Sequence, residues 1–126
     1  MISLQFKMKE VYHGLAECDG MLHCGEDYLI IEYQTKDGLV GMIKSGVKTL
    51  KIPFSKVLSA KVIKKWFTLT MVINTSSLSI VSALPGSDGG RIELKLNRQD
   101  YGSASEMISF INLGISEARL RDAENS

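Results

Sequence analysis

Cysteine, histidine, proline and tryptophan are all scarce in this chain, and each shortage closes off a class of function. Among 126 residues there are two Cys, two His, two Pro and one Trp. Cys18 and Cys24 are too few for a disulfide framework. No stretch approaches the roughly 18 apolar residues of a membrane span. The first ten residues, MISLQFKMKE, alternate polar with apolar and lack the unbroken apolar core of a signal peptide. The compartment expected from these absences is the cytoplasm. Acidic residues are missing over a long internal stretch: none occurs from Gly38 to Ser87.

What is present is ordinary for a globular chain. At 44% hydrophobic and 23% charged, the composition is too apolar for disorder. The length fits a single domain spanning residues 1–126, large enough to bury a core without staples. The net charge of +1 selects no acidic partner.

The hydrophobic pattern has mostly a period of two. Ile2, Leu4, Phe6 and Met8 fit a short N-terminal strand, frayed or docked away from the main run. Leu15 to His23 reads as a second extended segment, and Cys24-Gly25-Glu26-Asp27 as a turn. Tyr28 to Gln34 is rich in β-formers, and Thr35-Lys36-Asp37-Gly38 closes it. Leu50, Ile52 and Phe54 line a strand carrying Pro53 near its end. Val57 to Lys64 sets Leu58, Ala60 and Val62 inward. Phe67, Leu69, Met71 and Ile73 continue the pattern, and Asn74 to Ser77 reads as a loop. Leu78 and Ile80 start another strand, ended by the glycine-rich turn before Gly90. Ile92, Leu94 and Leu96 alternate with Arg91, Glu93 and Lys95. About seven short strands in succession describe an antiparallel meander that rolls up.

After Asp100 the period lengthens. Ala104, Met107, Ile108, Ile111, Ile115 and Ala118 form a helical stripe, with Phe110 widening it. Ser103 and Glu106 fit a capping box. The helix is expected over about 103–118, with 119–126 a charged, frayed tail. An amphipathic helix after the last strand is placed to plug the open end of a rolled sheet.

Seven strands followed by one helix resemble the pleckstrin-homology-like superfamily, in particular its bacterial PH-like and GRAM-type domains. The residues that carry the resemblance are Ile52-Pro53-Phe54-Ser55-Lys56-Val57, which looks like the group's step from one strand to the next. Trp66-Phe67 at the start of the following strand and the helix from Ser103 match too, so that the likeness runs over roughly residues 11 to 115. It implies a partly open antiparallel β-barrel capped by a C-terminal helix, and a binding or assembly scaffold, not an enzyme. Many eukaryotic members bind phosphoinositides through a basic loop between the first two strands. Here the corresponding turn, Cys24 to Asp27, is acidic, and no lipid-binding residues carry over onto it.

The residues with catalytic or ligating chemistry form no convincing set. His13, Cys18, His23 and Cys24 are zinc-type ligands, but in a strand His23 and Cys24 point to opposite faces. Cys18 then lies roughly 20 Å from Cys24. No serine sits in a Gly-x-Ser-x-Gly elbow, and neither histidine is placed beside one by sequence. Gly86 to Gly90 lacks the Lys-Ser/Thr ending of a phosphate-binding loop and reads as a hairpin turn. Neither catalysis, a metal nor a cofactor is expected.

Charge is the feature above background. Lys44, Lys48, Lys51, Lys56, Lys61, Lys64 and Lys65 fall in the acid-free stretch, whereas the first 37 residues are biased acidic by Glu10, Glu17, Asp19, Glu26, Asp27, Glu32 and Asp37. Such lysines blunt exposed strand edges in many sheets. Alternatively, Lys44, Lys48, Lys51, Lys61, Lys64 and Lys65, with Trp66, form a positive binding surface for anionic lipid or an acidic protein. In a third reading, acidic and basic parts of neighbouring copies attract and orient a homo-oligomer. Trp66 beside two lysines is thin support for nucleic acid, and more often such a residue is a strand-end anchor packed over the sheet. Sequence therefore favours a self-associating module built on strand edges, with the lysine surface as the alternative.

Overall fold

The computed structural model describes residues 2–11, 16–37, 46–81, 84 and 87–125. Its strands are β1 (Ile2–Val11), β2 (Ala16–Cys24), β3 (Tyr28–Asp37), β4 (Lys48–Pro53), β5 (Val57–Lys64), β6 (Leu69–Thr75) and β7 (Arg91–Leu96). A short helix α1 (Leu78–Val81) lies between β6 and β7, and a long one, α2 (Tyr101–Glu124), ends the chain. Single 3₁₀ turns, Phe54–Lys56 and Arg98–Asp100, join β4 to β5 and β7 to α2.

The strands form one sheet in the order β4-β3-β2-β1-β7-β6-β5, with every pairing antiparallel. β4 and β5 are its two edges, so the sheet curls without closing. This is the mainly β architecture expected of a PH-like partly open barrel, with α2 packed on β5 and on the 3₁₀ turn after β4.

Alternation explains the core. Leu4, Phe6 and Met8 on β1 face inward beside Cys18, Leu22 and Cys24 on β2 and Leu29, Ile31 and Tyr33 on β3. Met71 and Ile73 on β6, with Ile92 and Leu94 on β7, complete the sheet side of that core. From α2, Ala104, Met107, Ile111, Ile115 and Ala118 bury the expected stripe, and Ile108 is partly buried. Asp88 and Arg91 exchange backbone hydrogen bonds of 3.0 and 2.9 Å around Gly89 and Gly90, whose φ values of 59° and 86° suit glycine at both central positions.

Several local expectations are corrected. β1 is neither frayed nor peripheral: it pairs with β2 on one side and β7 on the other. Strand β3 runs on through Thr35 to Asp37, because Thr35 pairs with Cys18 and is buried. A register shift between Val57 and Ser59 turns Val57 inward and leaves Leu58 exposed. Phe54 is buried, but from the 3₁₀ turn and not from the strand. Leu78 and Ile80 belong to a helical turn, since two apolar residues two positions apart are too short a pattern to separate the two conformations.

At the C-terminus, α2 starts at Tyr101, directly from the preceding 3₁₀ turn, so Ser103 lies inside it and no side chain caps its N-terminus. It continues to Glu124, six residues beyond the expected end at 118, with Arg121 in its last turn, where a positive charge suits the helix dipole. The acidic turn Cys24 to Asp27 joins β2 to β3, because β1 precedes both. What joins the first two strands is therefore residues 12–15, outside the described residues, and the acidity of the later turn says nothing about that segment.

Candidate functional site

The sheet order separates the sequence-predicted lysines into two groups. Lys48 and Lys51 are exposed on edge strand β4, where the Lys51 ammonium stands 6.0 Å from the centre of the Tyr28 ring. Lys61 and Lys64 are exposed on β5, the opposite edge, and Lys65 follows. Lys44 lies outside the described residues. What the fold brings together is Lys64, Lys65 and Trp66, at the tip of the β5–β6 hairpin.

That tip is built to hold two aromatic rings in water. Strand pairing ends at Lys64 and Leu69, and the Lys65 N–H donates to the Thr68 carbonyl at 2.9 Å, so the chain turns over at Trp66 and Phe67. Trp66 is 82% exposed and Phe67 83%. Neither packs over the sheet, which corrects both the strand-end anchor expected of Trp66 and the inward position expected of Phe67. The rings brace each other edge to face, 6.3 Å between centroids. Arg98, from the turn leading into α2, donates from Nε and Nη2 to the Trp66 carbonyl at 3.3 and 3.2 Å. Lys64 packs its ammonium 4.3 Å from the centre of the Tyr101 ring. The aromatic tip is thus pinned from beneath and surrounded by cations. Scattered exposed apolar side chains are normal, but here two exposed rings adjoin on a braced tip and make one continuous apolar surface.

A second feature lies farther along α2. A groove of about 640 Å³ runs between the helix, the β2–β3 turn and the start of β1. Ile2, Cys24, Phe54, Phe110, Leu113 and Gly114 give it an apolar lining, and Gly25 completes the turn side. Glu26, Asp27, Glu106 and Glu117 are its four carboxylates. On α2 the positions 106, 110, 113 and 117 recur at helical spacing and form a face distinct from the buried stripe. Phe110 and Leu113 are about half exposed there, which corrects the expectation that Phe110 widens the core stripe. No single stretch of sequence signalled this groove, because four separate segments build it.

The remaining chemistry is a hydrogen-bonded row on the outer sheet face. The Ser3 hydroxyl lies 2.6 Å from Nδ1 of His23, and Nε2 of His23 lies 2.6 Å from Glu32 Oε1. A carboxylate only accepts, so Nε2–H donates to Glu32, and in the neutral imidazole Nδ1 accepts from the Ser3 hydroxyl. Pairing of Ser3 with His23 across β1 and β2, with Glu32 on β3, makes this row, and sequence reading missed it. The order of groups is that of a nucleophile, base and orienting acid. It sits on an open sheet face, however, and the apolar groove does not reach it.

Strand parity separates the zinc-type ligands as expected: Cys18 and Cys24 are both free and buried in the core, and His23 is on the other face. His13 lies outside the described residues. Among the described residues no cluster of three His, Cys, Asp or Glu could hold a metal ion. Burial pushes the Cys18 thiol up from 9.0 to about 11, with Asp19 adding to the shift, and burial also raises Cys24. Neither is an activated nucleophile. No described helix is long and apolar enough to cross a membrane.

Comparison with protein-family models, with curated proteins and with solved structures gave no match.

Proposed function

We propose that this chain is a non-enzymatic, PH-like binding and assembly module that associates with copies of itself in the cytoplasm. The observation that carries the proposal is the separation of charge and apolar surface into two unlike features: a cationic aromatic tip and an acid-rimmed apolar groove. A chain bearing both halves of a complementary contact has the means to bind its own kind. Two buried free thiols suit a reducing compartment. The sheet edges are the other route to self-association. β4 carries Lys48 and Lys51 and ends in Pro53, β5 carries Lys61 and Lys64, and lysines at edges are a device against edge pairing. That weighs toward the tip and groove over the edges.

The enzyme alternative rests on Ser3, His23 and Glu32. Backbone N–H groups in an antiparallel ladder are committed to neighbouring strands, so this face has little to offer a developing oxyanion. A cross-strand polar ladder accounts for the row without catalysis.

A second reading is favoured by the tip alone. Exposed aromatics beside lysines suit an anionic membrane surface, where rings enter the headgroup layer and cations meet acidic lipids. Size-exclusion chromatography with light scattering, repeated over a range of concentrations, separates the two. Self-association predicts a defined multiple of the chain mass without any lipid, and Lys61→Glu with Lys64→Glu lowers that mass. A monomeric wild type that pellets with phosphatidylserine vesicles, and loses that binding in the same variant, rejects self-association in favour of the adaptor reading.

A further inference from the structure

We infer that the β5–β6 tip of one copy inserts Trp66 and Phe67 into the apolar groove of the next copy, making a head-to-tail contact. This rests on the self-association proposed above and specifies its contact. The groove has an apolar lining in Phe54, Phe110 and Leu113, and carboxylates in Glu26, Glu106 and Glu117. Its space of about 640 Å³ is in the range that accepts a bulky aromatic group. The tip offers the opposite chemistry in the same order, two rings at the apex with Lys64 and Lys65 behind them. Rings that fill the groove bring the lysines onto its acidic rim.

The tip cannot fill the groove of its own chain. Lys64 sits against Tyr101, the first residue of α2, and Arg98 clamps the tip backbone there. Leu113 is twelve residues farther along the helix, roughly 18 Å at the rise of an α-helix. A pinned tip does not swing that far, so the occupant comes from another copy. Because the two surfaces differ, the contact is heterologous: an open assembly keeps one free tip and one free groove until a ring closes, and otherwise a filament grows. Tryptophan is among the residue types enriched as interface anchors, and bracing by Phe67 and Arg98 limits the ordering cost of burying it.

The contact is tested with two full-chain variants that alter only exposed residues. One is Trp66→Ala with Phe67→Ser, which removes the tip. The other is Glu106→Lys with Glu117→Lys, which reverses the rim. Circular dichroism and thermal melts establish that both fold as wild type does. In sedimentation velocity each variant alone runs as a monomer, with self-association weakened at least tenfold. Mixed one to one they form a dimer and nothing larger, since one intact tip and one intact groove remain. Trp66 is the chain's one tryptophan, so its emission moves to the blue when wild type is concentrated, and the shift reverses as salt screens the charged rim.

An oligomeric wild type whose mass survives in both variants leaves self-association standing and overturns the tip-to-groove contact. A wild type that stays monomeric at every concentration overturns both. If that monomer pellets with phosphatidylserine vesicles, and the pelleting is lost in the tip variant and kept in the rim variant, the tip's occupant is a lipid surface.

Discussion

Gly114 on α2 receives the ring of Phe54 so closely that a β-carbon on the glycine would stand 2.5 Å from the Phe54 Cδ2 atom. Both residues also line the apolar groove. The contact fixes the helix over the 3₁₀ turn between β4 and β5 and seats the groove floor. Gly114→Ala gains up to about 1 kcal/mol of helix propensity, but overpacking against a buried ring costs about 1–3 kcal/mol. The expected net result is a lower denaturant midpoint, partly restored by pairing the change with Phe54→Leu. An unchanged or higher midpoint in Gly114→Ala alone shows the ring free to move aside.

Ile111 is fully buried at the middle of the α2 stripe, between Met107 and Ile115. Ile111→Ala is expected to cost about 2–5 kcal/mol, as large-to-small changes in packed cores do. Removing α2 from Tyr101 onward exposes the inner face of the sheet, and that chain is expected to be insoluble or to lack a cooperative melt. A truncated chain that melts cooperatively near the full-length temperature makes α2 an appendage.

Where one face of an element is buried, its period was legible. Arg91 to Leu96 alternates exposed and buried along its length, and the α2 stripe from Ala104 to Ala118 faces the core. Reading failed where the backbone broke period. The shift between Val57 and Ser59 reversed the parity at Leu58, and no residue type there announces a bulge. Trp66 and Phe67 read as strand residues because aromatic residues favour strands, whereas in the structure the chain turns at that point. Lys64, Lys65 and Trp66 were legible as a cluster because they adjoin in sequence. The groove was not, since Ile2, Asp27, Phe54 and Glu117 meet only after the sheet has curled.

The two thiols give a prediction about alkaline pH. In the native chain Cys18 keeps its proton to about pH 11, while the unfolded chain releases it near 9.0. The native state therefore binds more protons between those values, so this group's contribution to stability is complete below pH 9 and is lost as pH rises toward 11. Unfolding free energies measured from pH 8.5 to 11 should fall less steeply in Cys18→Ala than in wild type. At pH 8 only on the order of one native Cys18 in a thousand is thiolate, so alkylation should be slow until denaturant is added. Equal alkaline slopes in the two proteins, or fast labelling of native Cys18, count against this account.

The row from Ser3 through His23 to Glu32 joins three strands by side chains on the solvent face, and it bears on whether the chain has any catalytic power. As a structural ladder, each of its hydrogen bonds contributes about 0.5–1.5 kcal/mol. Ser3→Ala and Glu32→Gln should each lower stability by that order. Because both partners act through one imidazole, the double variant should lose less than the sum of the two, which a double-mutant cycle on unfolding free energies measures. As a catalytic triad, the same row would turn over an activated ester such as p-nitrophenyl acetate. The expected outcome is the same hydrolysis rate in wild type and Ser3→Ala, since the groove on this face is lined by Gln5, Lys7, Met21 and Gln34 and not by Ser3, His23 or Glu32. Hydrolysis above the rate with buffer alone that disappears in Ser3→Ala and falls in Glu32→Gln, with both variants folded, would make Ser3 a nucleophile and this chain an enzyme.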